Sequence, residues 1–240
     1  DFPTPDFVVQ AMVDSAKNGA TRYLPSLGLP ALRSAVATAF TALYDVDLGP
    51  DNIAVTCGGK HGLYNLFQAL VDPGDEVLVA SPCWVSYPAQ VQLAGGHPVI
   101  VPTLADEGFR WDAEDVAEAI TPKTVGLVIN SPSDPSGAVY DRETLNKLAD
   151  LAVEHDLWII TDDIYSHITY DNVPFESVLR NRPELRDRIF VIHGASKTYS
   201  MTGWRIGFVA APTAVIKKLG ILQGQSTSNA TAFAQYGALA

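Results

Sequence analysis

The chain has 240 residues, 47% of them hydrophobic and 18% charged, a balance that suits a soluble globular protein long enough to bury one substantial core. A formal net charge of −11 argues against a general nucleic-acid or membrane-surface role, so any phosphate must be held by a local site and not by the overall field. No apolar run approaches a membrane span, no secretory pattern opens the chain, and Cys57 and Cys83 make no disulfide framework, which makes a reducing cytoplasm the expected setting.

In chain order, residues 5–18 have helical spacing, with Phe7, Met12 and Val13 on the expected inner face and Gly19 as the stop. Arg22 and Tyr23 precede a loop with Pro25, Gly28 and Pro30, and Pro30 opens a helix predicted to reach about Tyr44. Residues 53–57 read as a short apolar strand. Gly58-Gly59-Lys60-His61 follows at once, then a helix with Leu63, Leu66, Phe67 and Leu70 inward. Two glycines between strand and helix free backbone N–H groups at a helix N-terminus, a ready anion site, although the Gly-x4-Gly-Lys-Ser/Thr pattern of a P-loop is missing. Lys60 is either part of that site or simply solvated.

Residues 72–75 form a turn, and residues 76–80 read as a strand. Ser81-Pro82-Cys83-Trp84-Val85-Ser86-Tyr87-Pro88 comes next; Trp84 is either a core tryptophan or the wall of a ligand site, and no base accompanies Cys83 in sequence. Residues 99–101 are a short strand, Asp112 caps a helix to Ile120, and residues 124–130 are a strand that leads into the loop Ser131-Pro132-Ser133-Asp134-Pro135-Ser136-Gly137. Asp141 caps a helix to about His155. Residues 157–161 form a buried strand ending in Asp162-Asp163-Ile164-Tyr165. Those two acids can serve as a cap or turn. Metal binding with His167 is the rival, but no ligand cluster at a familiar spacing supports it, and no metal site is predicted. Strands alternating with helices predict an α/β domain with a mostly parallel sheet, and short linkers without repeats predict one domain.

One stretch organises the rest. An apolar strand, residues 189–192, leads into Gly194-Ala195-Ser196-Lys197-Thr198-Tyr199-Ser200-Met201-Thr202-Gly203-Trp204-Arg205-Ile206-Gly207, and a second apolar strand follows over residues 206–210. The small residues let the backbone turn sharply. A lysine between two core strands is expected to be buried, and burial favours the neutral amine that Schiff-base chemistry needs. A fixed guanidinium eight positions on suits a phosphate dianion.

This stretch, through Met-Thr-Gly-Trp-Arg-Ile-Gly, resembles the lysine motif of class I/II aminotransferases, enzymes that use pyridoxal 5'-phosphate, and the likeness extends along nearly the whole chain. The resemblance implies the fold of the PLP-dependent transferase large domain (fold type I), a three-layer α/β/α arrangement with helices on both faces of the sheet. It also implies a smaller domain built from both termini, most of which lies outside these 240 residues, so the chain reads as a fragment: it begins at Asp1 without a methionine, and residues 232–240 read as helix without a stop signal.

By the same resemblance Lys197 holds the cofactor as an imine, while Arg205, Gly58, Gly59, Lys60 and Ser196 form the phosphate end of the site. Asp162 pairs with the pyridine nitrogen, Tyr165 bonds the phenolic oxygen, and Trp84 stacks on the ring. Tyr23 reaches across a homodimer to the partner subunit's phosphate. Asp134 holds the place of the Asn that bonds the cofactor's phenolic oxygen, and Lys60, Trp84 and Asp134 also face the substrate, with Lys60 meeting the distal carboxylate in the aspartate- and prephenate-using branch. The expected reaction moves an amino group from an aspartate-like amino acid to a 2-oxo acid, with no nucleic acid and no membrane involved. A PLP-dependent lyase and a non-catalytic PLP-fold sensor are the alternatives. Two departures stand out: many relatives have Tyr in place of Cys83, and the loop Asn is Asp134 here.

Overall fold

The computed structural model describes residues 2–240; Asp1, the first residue of the opening stretch, lies outside the described residues. The chain divides into two compact units. One is discontinuous, made of the residues up to Ala69 together with Ile192–Ala240, and the other is the continuous segment Leu70–Val191.

The discontinuous unit opens with α1 (Asp6–Lys17) and α2 (Pro30–Tyr44). Only Val8 of α1 is fully buried, and Phe7 is exposed. This corrects the expected inner face of Phe7, Met12 and Val13: Met12 and Val13 are half-buried, and the helix meets the core along the line of Val8. Pro30 supplies the pre-set φ of a first helical position, and Asp45 ends α2 in the left-handed region at φ 55°. Strand β1 (Ile53–Thr56) is buried at every position. It runs directly into α3 (Gly59–Leu70), whose Leu63, Leu66 and Phe67 are fully buried, each stabilising the fold by about 1.5–3 kcal/mol.

The continuous unit contains β2 (Glu76–Ser81), α4 (Ser86–Leu93), β3 (His97–Pro102), α5 (Ala113–Ala119), β4 (Thr124–Asn130), α6 (Arg142–Glu154), β5 (Trp158–Asp162) and α7 (Val178–Asn181). Asp112 caps α5 by accepting from the Glu114 N–H at 2.7 Å, and Asp141 caps α6 by accepting from the Thr144 N–H at 2.8 Å, as the sequence predicts. β2 pairs in parallel with both β3 and β4, and β4 pairs in parallel with β5. Gly126 on β4 leaves room for the Trp158 indole, which a Cβ there would overlap at 2.1 Å.

Strand β6 (Ile189–Gly194) carries the chain from the continuous unit back to the discontinuous one. There β7 (Gly207–Ala210) pairs antiparallel with β1, Ile53 opposite Ala210, and α8 (Thr213–Gln225) and α9 (Ala232–Leu239) complete the unit. Helix α9 lies against α1, and Gly237 admits the Trp204 ring. Two buried glutamines stitch the late helices to the early loop. Gln223 donates to the carbonyls of Ser26 and Val55 at 2.6 and 3.2 Å, and Gln235 accepts from the Leu29 N–H at 2.7 Å. The strand order is β1-β7-β6-β5-β4-β2-β3, an α/β architecture with a mostly parallel sheet. Among the described residues, no helix is long and apolar enough to cross a membrane.

Candidate functional site

In the discontinuous unit, the turn from β1 into α3 is built around Gly58. Its φ of +86° is a conformation open chiefly to glycine, and its carbonyl accepts from the Thr56 hydroxyl at 2.9 Å. The Cys57 N–H donates to His61 Nδ1 at 3.3 Å, which fixes the neutral acceptor nitrogen, and burial lowers the His61 pKa in the same direction. Burial pushes the Cys57 thiol up.

Arg205 stands over this turn. Its backbone is left-handed at φ 56°, and its guanidinium donates to the carbonyls of Thr202 at 2.9 Å and Cys57 at 3.4 Å. A Cβ on Gly58 would sit 2.3 Å from Arg205 Nη2, and a Cβ on Gly207 would sit 2.2 Å from the Gly58 carbonyl carbon. Gly58 and Gly207 are therefore glycines because the guanidinium and the neighbouring backbone fill the space. Arg205 is exposed, and no carboxylate forms an ion pair with it among the described residues. A guanidinium tethered by two carbonyls and left without an anion, at the start of a twelve-residue helix, is arranged to receive one.

Gly194 ends β6, and the turn that follows presents Lys197. Ser196 is buried there, and its carbonyl accepts from the Met201 N–H at 3.1 Å. Lys197 itself is exposed, against the expectation that two core strands would bury it. The strand stops three residues short of it, so the lysine belongs to the turn that follows and not to the buried strand. Thr4 and Trp204, which the sequence did not single out as a pair, brace this turn: the Thr4 hydroxyl donates to the Ser200 carbonyl at 2.6 Å and accepts from Trp204 Nε1 at 3.0 Å. Lys60 is exposed on the first turn of α3. Tyr23, 87% exposed, lines a hollow of about 760 Å³ with Arg22, Asn229 and Phe233.

The continuous unit gathers the remaining candidates at the carboxyl ends of β4 and β5, where open parallel sheets place their ligands. Asn130 and Asp162 end these strands in register. Asn130 Nδ2 donates to the Asp162 carbonyl at 2.8 Å, and Asn130 Oδ1 accepts from the Asp134 N–H at 2.7 Å. Asp134 Oδ2 accepts from the Tyr165 hydroxyl at 3.3 Å. Asp134 and Tyr165 also line a cavity of about 440 Å³ with Pro132, Ile168 and Tyr170. The loop that carries Asp134 thus hangs on Asn130, and Tyr165 closes the circuit.

Asp162 is 5% exposed, and burial pushes its carboxyl up to about 6. Two hydrogen bonds oppose that shift, from the Tyr87 hydroxyl to Oδ2 at 2.9 Å and from the Ile164 N–H to Oδ1 at 3.3 Å, while the Asp134 charge adds to it. Tyr87 was missed as a site residue. Its sequence signal is its place in the run Trp84-Val85-Ser86-Tyr87, three residues after the indole and on the first turn of α4. The two rings meet edge to face at 5.5 Å. Asp163, the neighbouring acid, is buried and accepts from the hydroxyls of Thr161 and Ser177, while His167 is exposed and bonds Ser166.

The discontinuous unit carries an anion cradle and a lysine on the turn after β6; the continuous unit carries a buried acid with a tyrosine, an aspartate and an indole. The profile of the family described as aminotransferase class I and II matches residues 1–240. The chain is 45% identical over 239 residues to a probable aspartate/prephenate aminotransferase of Aquifex aeolicus and 47% identical over 239 residues to the aspartate/prephenate aminotransferase of Thermus thermophilus, in each case covering all of this chain and 61% of the relative. The solved aspartate aminotransferase from Thermus thermophilus with maleate superposes with a TM-score of 0.95 at 46% identity, covering all of this chain and 62% of that one. The chain spans about three fifths of the length of the curated relatives it matches, and within that span it belongs to the aminotransferase class I and II family.

Proposed function

We propose that the full-length protein is a pyridoxal-phosphate-dependent aminotransferase that transfers the amino group of an acidic amino acid to a 2-oxo acid, and that these 240 residues are its cofactor-binding large domain. The observation that carries this reading is the Arg205 guanidinium, un-neutralised and seated on Gly58 beside the turn that presents Lys197. The cradle fits a phosphate dianion, and the buried acid of the other unit fits a protonated ring nitrogen.

When bound, the cofactor supplies the electron sink for a carbanion at the substrate's α-carbon. The residues of the chain do the rest. Arg205, the first amides of α3 and Ser196 hold the phosphate. Lys197 would provide the amine that attaches the cofactor and, once released, would move a proton at Nζ between the substrate's α-carbon and the cofactor. Asp162 stabilises a proton on the ring nitrogen by opposite charge. Trp84 stacks on the ring, and Tyr165 with Asp134 faces the phenolic oxygen. Lys60 pairs its ammonium with a distal carboxylate; the relative solved with maleate, a dicarboxylate, supports an acidic substrate. Tyr23, held out in solvent, serves the partner subunit of a homodimer.

The test is an amino-donor screen on the full-length protein reconstituted with pyridoxal phosphate. Aspartate or glutamate should yield its 2-oxo acid and a new amino acid from the acceptor. Ammonia with a cleaved side chain would make the protein a lyase. A bound-cofactor spectrum without turnover of any donor would make it a sensor.

A further inference from the structure

Tyr87 has no part in the proposed reaction, yet it touches both Asp162 and Trp84. It is 2% exposed, its hydroxyl lies 2.9 Å from Asp162 Oδ2, and its ring meets the Trp84 ring edge to face. A phenol buried this completely needs a partner, and a carboxylate buried this completely needs donors. Each Asp162 oxygen has one, Oδ1 from the backbone of Ile164 and Oδ2 from Tyr87, so the plane of the carboxylate is fixed at both ends. Only the second is a side chain that a substitution can remove.

We propose that Tyr87 is the positioning residue of Asp162, holding the carboxylate ionised and in one orientation while its ring sets the indole of Trp84, so that a single side chain aligns the charge and the stacking plane of the cofactor site. This rests on the reading of Asp162 as the ring-nitrogen partner. The geometry gives it direction. A hydrogen bond donated to an ionised carboxylate favours that form, and removing it from a buried acid raises the acid's pKa. The groups facing the Asp162 carboxyl in its own unit are Tyr87 from α4, Asp134 from the loop after β4 and the Ile164 N–H; of these the two donors favour ionisation and Asp134 opposes it. Cys83 and Asp134 act in turn on Tyr87, whose own pKa is pushed well above the usual phenol range, mainly by burial. Tyr87 therefore stays a neutral donor across the working pH range.

The experiment uses the full-length protein in two states. Without cofactor, isotope-edited infrared spectroscopy of the carboxyl band follows the Asp162 titration, with Asp162→Asn identifying the band. Tyr87→Phe, which keeps the ring and its packing, should raise the midpoint by about one pH unit or more, the shift expected when a charge-assisted hydrogen bond is lost. With cofactor labelled at the ring nitrogen, the nitrogen resonance of Tyr87→Phe should move from the protonated towards the unprotonated position. Fluorotyrosine at position 87, a stronger donor of nearly the same shape, should move both readouts the opposite way, and it keeps the test open if the Phe variant fails to fold. Wild-type values for both readouts in the folded variants would overturn the proposal. If Asp162→Asn leaves the nitrogen resonance unchanged, Asp162 is not the nitrogen's partner; that failure is separate, because the cofactor-free titration still reports on Tyr87.

Discussion

Arg205 and Gly58 share one volume: the guanidinium occupies the place a side chain at position 58 would take, with 2.3 Å from Nη2 to an ideal Cβ. Gly58→Ala must therefore displace the arginine while also forcing a β-carbon into φ +86°. Such a backbone conformation costs about 1–3 kcal/mol in a non-glycine residue. The expected result is cofactor affinity at least tenfold weaker by fluorescence titration, with a lower melting temperature. Unchanged affinity would mean that the Arg205 head group is not where the phosphate binds.

Lys197 is expected to be the attachment point of the cofactor. Borohydride reduction of the reconstituted full-length protein and peptide mapping should place the pyridoxyl group on Lys197. Label on Lys60 would move the chemistry to the wrong side of the phosphate cradle.

The buried Asp162 carboxyl makes a pH prediction whose sign is fixed. Its folded pKa, about 6, lies above the 3.8 of a free aspartate, so the folded state binds the proton more tightly than the unfolded one. That contribution is present at low pH and is lost as pH rises through the folded value, a difference of at most about 3 kcal/mol. In the cofactor-free protein, Asp162→Asn should thus raise the melting temperature at pH 8 and lose that advantage as pH falls towards 5. An equal effect at both pH values would show that the carboxyl is not titrating in this window. With cofactor added, the same variant should turn over far more slowly, because a neutral amide does not hold a ring proton.

Asp134 accepts from Tyr165, so its carboxylate stands where an ionised phenolic oxygen would also seek donors. Like charges disfavour joint ionisation. Asp134→Asn should shift the absorbance titration of the bound cofactor to lower pH and raise activity near neutrality. Identical spectra across the titration would show that Asp134 does not reach the cofactor.

Lys60 is expected to discriminate substrates. Lys60→Ala should reduce kcat/KM for aspartate or glutamate by about tenfold more than for a neutral amino acid, the lower end of a charge-assisted hydrogen bond. Equal losses on both would reduce Lys60 to a structural role.

Most of the architecture was legible because local signals agreed with it. Pro30, Asp112 and Asp141 marked helix starts that the structure keeps, and the apolar runs at 53–57, 124–130 and 189–192 became β1, β4 and β6. What failed was inference from neighbours in sequence to neighbours in space. Phe7 fits the α1 periodicity but is exposed, because α9 meets that helix along the line of Val8. Lys197 lies between two buried strands in sequence yet is exposed, because a turn is not buried by the strands it joins. α4 and α8 carried no capping signal strong enough to see: neither has a side-chain cap, and Val85 and Pro212 precede them. Tyr87 and Asp162, 75 residues apart, had nothing local to join them.

The discontinuous unit also dictates an order of events during synthesis. β1 leaves the ribosome early, but its antiparallel partner β7 begins at Gly207, and the glutamine that caps the Leu29 amide is 206 residues further along the chain. The segment Leu70–Val191 emerges in between with its own strand pairings complete. Leu32, Val36 and Phe40 of α2 are therefore fully covered only after β7 and α9 have been made, so α2 must wait longer for its packing partners than any helix of the continuous segment.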